Sequence, residues 1–337
     1  MDGRSAPIIG LERPEPLGTP IRAMTLIDVA GHPTGGAGRW RSEADAWLGR
    51  HPDANVRLVG RAKRVEPRWL ARRELEGRRQ RRIAANNVGY VSGSGTRIVL
   101  LRNALHFLMP GEAETLPGIP RGMGCQRPIV HAAANRADFL VVPCTAMAER
   151  VQRYLPRSAD RIVVRHHPVT MKIARGPRTT RPYVLFPGMP SPQKDLVGTL
   201  GQLLQAIKRS TLSVDVTITA SPNDLGILGS EPRVNAVGCQ TLEGMDLLWA
   251  SAAAVYLPSR TESFGYPVAE ARAIGIPVVA IDSPQNREIG GGALKGYRFD
   301  DDESLTTALW EAFATTLQPE PGPFDPDAYF DWLTSLR

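Results

Sequence analysis

Cysteine is scarce in this 337-residue chain, with three widely spaced thiols at Cys125, Cys144 and Cys239. An odd number of distant cysteines speaks against a disulfide framework and offers no metal-ligand spacing, so reduced thiols are expected. No apolar run reaches the roughly 18 residues that a membrane-spanning helix needs. Residues 1–13 are polar and lack an apolar signal core, which reads as a cytoplasmic protein. Aromatics make up 6% of the chain, and Trp69 alone stands in its most basic stretch. No nucleic-acid module is recognisable there, and no nucleic-acid partner is expected. A G-x-G-x-x-G fingerprint is also missing: Arg41 stands where the third glycine after Gly36 and Gly38 would fall.

What is present fits a soluble globular protein of two domains, with 42% hydrophobic and 22% charged residues. The net charge of +7 is unevenly shared. Residues 1–170 hold 27 Lys and Arg against 15 Asp and Glu, a net +12, whereas residues 171–337 hold 14 against 19, a net −5. Between Arg61 and Arg82, ten basic residues face three acids, Glu66, Glu74 and Glu76. The stretch reads either as a solvated arginine-rich helix or as a contact with an anionic membrane surface or a phosphorylated acceptor.

Strands and helices alternate throughout, which implies parallel sheets covered by helices. Strands are predicted over 24–29, 56–59, 98–101, 139–142 and 162–164, with helices at 39–48 and 145–154. The segment 171–182, rich in Arg, Thr, Gly and Pro, reads as a linker. Beyond it the pattern restarts with strands at 183–186, 214–219, 234–237, 253–257 and 277–281 and a helix over 194–208. The expected division is therefore 1–170, 183–320 and a last helix within 321–337. Two doubly wound, Rossmann-like parallel-sheet domains with a cleft between them form the simplest α/β architecture.

The most informative segment runs from Leu257 to Glu270. A buried strand ends, the chain turns, and a helix opens near Gly265, with Glu262 and Glu270 eight positions apart. Ligands of open α/β sheets sit beyond the carboxyl ends of the strands, and a helix start offers free N–H groups to a phosphate. Glu270 then lies about 7 Å along the helix at about 1.5 Å per residue. A ligand with phosphate in its middle and hydroxyls at both ends could meet one carboxylate at each end, as a sugar nucleotide does. A second glycine-rich helix start, Thr34-Gly35-Gly36-Ala37-Gly38-Arg39, follows the first strand.

This segment resembles the E-x7-E signature of retaining glycosyltransferases of family 4, which have the GT-B fold; Phe264, Gly265 and Pro267 belong to the match. The resemblance is strongest over 183–292. It implies that Glu262 contacts the donor sugar, that the backbone of Ser263, Phe264 and Gly265 approaches the diphosphate, and that Glu270 holds the ribose. Gly35 and Gly36 would face the donor across the cleft. In Phe186 to Asp195, Gly188 and Lys194 fit the family's phosphate-binding pattern, whereas Met189 stands in place of its arginine. Arginine grips phosphate bidentately and methionine does not, so Arg260, or else Arg39, is expected to substitute. His106 would stand in the cleft toward the sugar, or else be a satisfied structural histidine. His131 is an acceptor-side alternative, and His166 and His167 read as structural or cleft-lining. Ala137 to Pro143 and Gln285 to Ile289 resemble further family segments, and Cys239 falls where the base pocket lies. The last helix would cross back to the first domain.

The resemblance implies a retaining glycosyltransferase that uses a nucleotide-diphosphate sugar, with neither metal nor cofactor. The acceptor is an unidentified small molecule, glycan or lipid, reached in the cytoplasm or at the inner face of the membrane. An inactive or partner-requiring relative that binds a nucleotide, and a sugar-nucleotide epimerase, stay open. Asp300-Asp301-Asp302 holds an Asp-x-Asp pattern that either binds a divalent metal or serves a helix start.

Overall fold

The computed structural model describes residues 24–32, 34–171, 173, 181–188, 190–191 and 194–336. In the first half, β1 (Thr25–Asp28), α1 (Gly35–Arg50), β2 (Val56–Val59), α2 (Pro67–Arg73), β3 (Arg81–Ala84), β4 (Arg97–Leu100), α3 (Glu112–Thr115), α4 (Met123–Ala134), β5 (Phe139–Val142), α5 (Thr145–Tyr154) and β6 (Ile162–Val164) follow one another. In the second come β7 (Tyr183–Phe186), α6 (Leu196–Ser210), β8 (Asp215–Ile218), β9 (Val234–Ala236), α7 (Leu242–Ser251), β10 (Ala254–Leu257), α8 (Tyr266–Ile274), β11 (Val278–Ile281), α9 (Pro284–Gly290), β12 (Leu294–Tyr297), α10 (Asp302–Ala314) and α11 (Pro326–Ser335).

The strands form two six-stranded sheets, in the orders β2-β1-β3-β4-β5-β6 and β12-β11-β10-β7-β8-β9. Every pairing is parallel. Strands buried on both faces, such as β10 with the sequence AVYL, read as continuous apolar runs for this reason. The expected two doubly wound α/β domains are thus the observed architecture. One apolar cluster spans both sheets, joining Val99 and Val142 to Phe264, Val268 and Val278. Helix α11 lies on the first domain, where Tyr329, Phe330 and Leu333 pack with Trp40 and Trp47, and Trp40 Nε1 donates to Tyr329 Oη at 3.2 Å. The segment read as a linker falls largely outside the described residues, as does Met189.

One strand differs from the sequence reading. β3 was hidden inside the basic stretch, which is not one helix: only α2, seven residues long, is helical there. Part of its charge is turned inward. Arg73 pairs with Asp28, and the two side chains are 1% and 0% exposed. Asp28 also accepts from Trp69 Nε1 at 3.2 Å and Asn86 Nδ2 at 2.7 Å. Arg82 is fully buried and donates to the Ser92 carbonyl, and Arg73 and Arg82 both lie on the Tyr90 ring. A buried charge is tolerated when paired and hydrogen-bonded, and here that network ties α2 and β3 to the end of β1. Lys63, Arg64, Arg68, Arg72, Arg78 and Arg79 remain exposed.

Candidate active site in the interdomain cleft

The carboxyl ends of both sheets face a common cleft, where the chain encloses a cavity of about 560 Å³. That is a size typical of small-molecule sites. Gly35, Gly36, Arg39, Arg102 and His167 line it from the first domain. From the second come Lys194, Cys239, Arg260, Glu262 and the run from Ser263 to Pro267, with Glu270. A further concavity of about 330 Å³ is lined by Thr25, Val56 and Arg81, which begin their strands, so it lies at the end of the sheet where parallel α/β folds do not place ligands.

The turn from β10 to α8 sets the two acids. Gly265 caps α8 at φ +77°, and a Cβ there would stand 3.1 Å from Gln285 Nε2, so glycine suits the position twice over. Pro267 is in the first turn of α8, where its missing N–H goes unneeded. Gln285 Nε2 donates to the Phe264 carbonyl at 2.6 Å and holds the turn from behind. Glu262 stands before the helix, and Lys194 Nζ lies 3.5 Å from its Oε1. Both side chains are about a quarter exposed to the cavity, at 24% and 29%. Glu270, one turn into α8, is 8% exposed. Its Oε1 lies 3.0 Å from Nε of Arg39. Burial raises the Glu270 pKa, and the Arg39 charge opposes that rise.

Arg39 also joins the segment between the domains. Its Nη2 donates to the Thr170 carbonyl at 3.2 Å, and Thr170 donates from N and Oγ1 to the buried Glu43 carboxylate at 2.8 and 2.6 Å. The glycine pair allows α1 to approach: a Cβ on Gly36 would lie 3.3 Å from the Tyr266 ring. Across the cleft, Ser263 Oγ donates to the Arg102 carbonyl at 2.6 Å, and Cys144 Sγ donates to the Ser263 carbonyl at 3.3 Å.

The remaining candidates divide. Cys239 is exposed and lines the cavity. Gly188 is buried and accepts from Thr219 Oγ1 at 3.2 Å; it borders a small recess shared with Lys194 and Arg260 instead of the main cavity. Arg260 lines both spaces, but its guanidinium donates to the Thr115 carbonyl of the first domain and lies 3.7 Å over the Phe299 ring. His106 does not line the cleft. It is 4% exposed, its Nε2 is 3.4 Å from Gln126 Oε1, and burial lowers its pKa to about 4. The short turn after β4 points the ring back toward α4, where Phe107 and His131 stack at 4.8 Å. His131 Nε2 contacts the His106 carbonyl at 2.9 Å, and His166 Nε2 lies 3.1 Å from Glu288. The first-domain histidine that reaches the cavity is His167.

The sequence reading missed Arg102. Its signal was available, since it stands just past the carboxyl end of a parallel strand. Asp301 caps α10 through Ser304 N at 2.8 Å and pairs with Arg298, and Asp302 pairs with Arg209 at 2.6 Å, so these acids serve the helix start. Among the described residues no group of three His, Cys, Asp or Glu side chains could hold a metal ion.

Residues 181–315 match the family described as Glycosyl transferases group 1. No curated protein matches the chain by sequence. Among solved structures, WaaG, a glycosyltransferase involved in lipopolysaccharide biosynthesis, is 13% identical, with a TM-score of 0.60 over 91% of this chain and 95% of its own. Anabaena HepE, solved in complex with UDP and glucose, is 15% identical, with a TM-score of 0.56 over 93% and 100% of the two chains. Sucrose-phosphate synthase from Thermosynechococcus elongatus is 14% identical, with a TM-score of 0.62 over 86% and 90%. The chain spans 51% of the length of another match, TarM. At such identities the likeness speaks for the fold, which is GT-B. The family match over the second half and this fold together support a glycosyltransferase of the GT-B class.

Proposed function

We propose that the protein is a retaining, metal-independent glycosyltransferase of family 4 that transfers a sugar from a nucleotide-diphosphate sugar to an acceptor hydroxyl. The observation that carries this reading is the pair of acids flanking one helix start in the cleft: Glu262 opposite Lys194, and Glu270 opposite Arg39. The spacing suits a ligand with a sugar at one end, a diphosphate at the helix start and a ribose at the other. Lys194 and the N–H groups after Glu262 stabilise the departing diphosphate, Glu262 orients the donor sugar, and Glu270 accepts from the ribose hydroxyls. The bond from the anomeric carbon to the phosphate oxygen breaks, and its electron pair leaves with the diphosphate. The acceptor oxygen bonds to the same face of that carbon and gives its proton to the departing phosphate oxygen. UDP is the first nucleotide to test, because HepE was solved with it.

Glu262→Ala is expected to abolish transfer in a protein that remains folded by circular dichroism; full activity in that variant contradicts the assignment. The exposed cations from Lys63 to Arg79 stand beside Val65 at 38% and Leu75 at 74% exposure. They suit contact with an anionic membrane surface, in keeping with a lipid-linked acceptor. Co-sedimentation with anionic vesicles that weakens steeply with salt is the expected result, and salt-independent or absent binding contradicts it.

A further inference from the structure

Behind the first turn of α1, the cavity wall holds polar nitrogens and a hydroxyl that no described residue satisfies. His167 is 1% exposed and lines the cavity, and neither of its ring nitrogens has a hydrogen-bond partner. Its ring stacks on Tyr266, 5.9 Å between centroids, and the buried Tyr266 hydroxyl is likewise without a partner. Arg102 donates through Nη2 to the Ala85 carbonyl and lies 5.3 Å over the Trp40 ring, while its buried Nε and Nη1 have no hydrogen-bond partner among the described residues. Buried polar groups are nearly always hydrogen-bonded, so three such groups gathered at one cavity call for a ligand. Their chemistry is that of donors: two guanidinium N–H groups, one phenol, and an imidazole kept neutral by burial beside Arg102.

Charge bookkeeping separates this wall from the diphosphate. The acids lining the cavity, Glu262 and Glu270, each face a cation already. Arg260 shares a recess with Lys194 on the second domain, where a donor diphosphate would lie. Among the described residues Arg102 has no carboxylate beside it; burial lowers its pKa, and the hydroxyls of Tyr266 and Tyr329 oppose that. Resting on the proposed transferase reading, we infer that Arg102 and His167 of the first-domain wall, with Tyr266 reaching them from α8 of the second domain, form an anion subsite, which takes a phosphate or carboxylate carried by the acceptor. The same chemistry could come from the donor diphosphate, and the test separates the two sources.

Inorganic phosphate is titrated calorimetrically into the protein, first alone and then saturated with UDP, or with whichever nucleoside diphosphate binds. Millimolar phosphate binding that persists beside the nucleotide is expected. It should weaken at least tenfold in Arg102→Gln and stay unchanged in Arg260→Gln, with folding checked by circular dichroism. Tyr266→Phe deletes only an unpaired hydroxyl, so it carries the comparison with about a threefold loss should Arg102→Gln not fold. Loss of phosphate binding when the nucleotide is present assigns the anion to the donor and overturns the inference. Wild-type phosphate affinity in both Arg102→Gln and Tyr266→Phe reduces it to an adventitious ion only and overturns it as well. Failure of every nucleotide to bind counts against the transferase reading, while the Arg102-dependent phosphate titration of the unliganded protein still decides the subsite.

Discussion

The two walls of the cleft use charge differently. On the second domain the cavity holds a partly exposed ion pair, Lys194 and Glu262, 3.5 Å apart. On the first domain the charges come from distant segments and lie deep. Asp28, Arg73 and Asn86 close a network beneath β1, and Arg102 and His167 reach the cavity from β4 and from the chain after β6. An exposed pair contributes about 0–1 kcal/mol and is free to exchange partners with a ligand. A buried pair fixes the architecture, since removing one partner strands the other charge. The second wall is therefore built to be remade on binding, and the first to stay as it is.

The sharpest contrast is between Asp28→Ala and Glu262→Ala. The first is expected to destabilise the protein by about 3–5 kcal/mol in urea unfolding, as for other broken buried pairs. The second is expected to leave the unfolding midpoint nearly unchanged while abolishing transfer. Similar midpoints for both variants break the comparison. Acid should act on the first domain next. His106 has a folded pKa of about 4 against 6.5 in the unfolded chain, so its contribution is complete above pH 6.5 and is lost as pH falls toward 4. At about 1.36 kcal/mol per pH unit, that is about 3 kcal/mol. The loss should be absent in His106→Gln when stability is measured across this range, and an equal acid loss in that variant removes His106 as its source.

Smaller effects probe the contact between the walls. Burial raises the Glu270 pKa and the Arg39 charge opposes that rise. In Arg39→Ala the Glu270 pKa should rise further, and nucleotide affinity should fall by up to about tenfold, with a loss that shrinks as pH rises, reflecting one charge-assisted hydrogen bond. A pH-independent loss assigns Arg39 to the phosphate instead. Smallest is the difference between Arg260→Ala and Met189→Ala, where the arginine change should weaken nucleotide binding by several-fold more. Equal effects remove Arg260 as the substitute cation.

The contrast also explains what was legible in the sequence. The strand, turn, glycine and acid of the second wall lie within Leu257 to Glu270, so their pattern survives in one dimension, and the alternation of apolar runs and helices showed both sheets. β3 did not show, because Arg81 and Arg82 made a buried strand look like part of a solvated basic stretch; only the contacts of Arg82 with Tyr90, the Ser92 carbonyl and Glu74 reveal why an arginine can stand there. His106 was read from its position after β4 either as cleft-facing or as a structural histidine, and the direction of its ring depended on α4 packing that local pattern does not carry. His167 and Arg102, distant in sequence, are neighbours in the fold, where His167 stacks on Tyr266 from the opposite domain.

The most direct measurement is calorimetric titration of a panel of nucleoside diphosphates into the wild type and Glu270→Ala. One nucleotide should bind the wild type selectively and lose most of its affinity in the variant, placing the ribose on that buried carboxylate. Equal affinity in both proteins, or no binding by any nucleotide, would contradict the cleft as a sugar-nucleotide site.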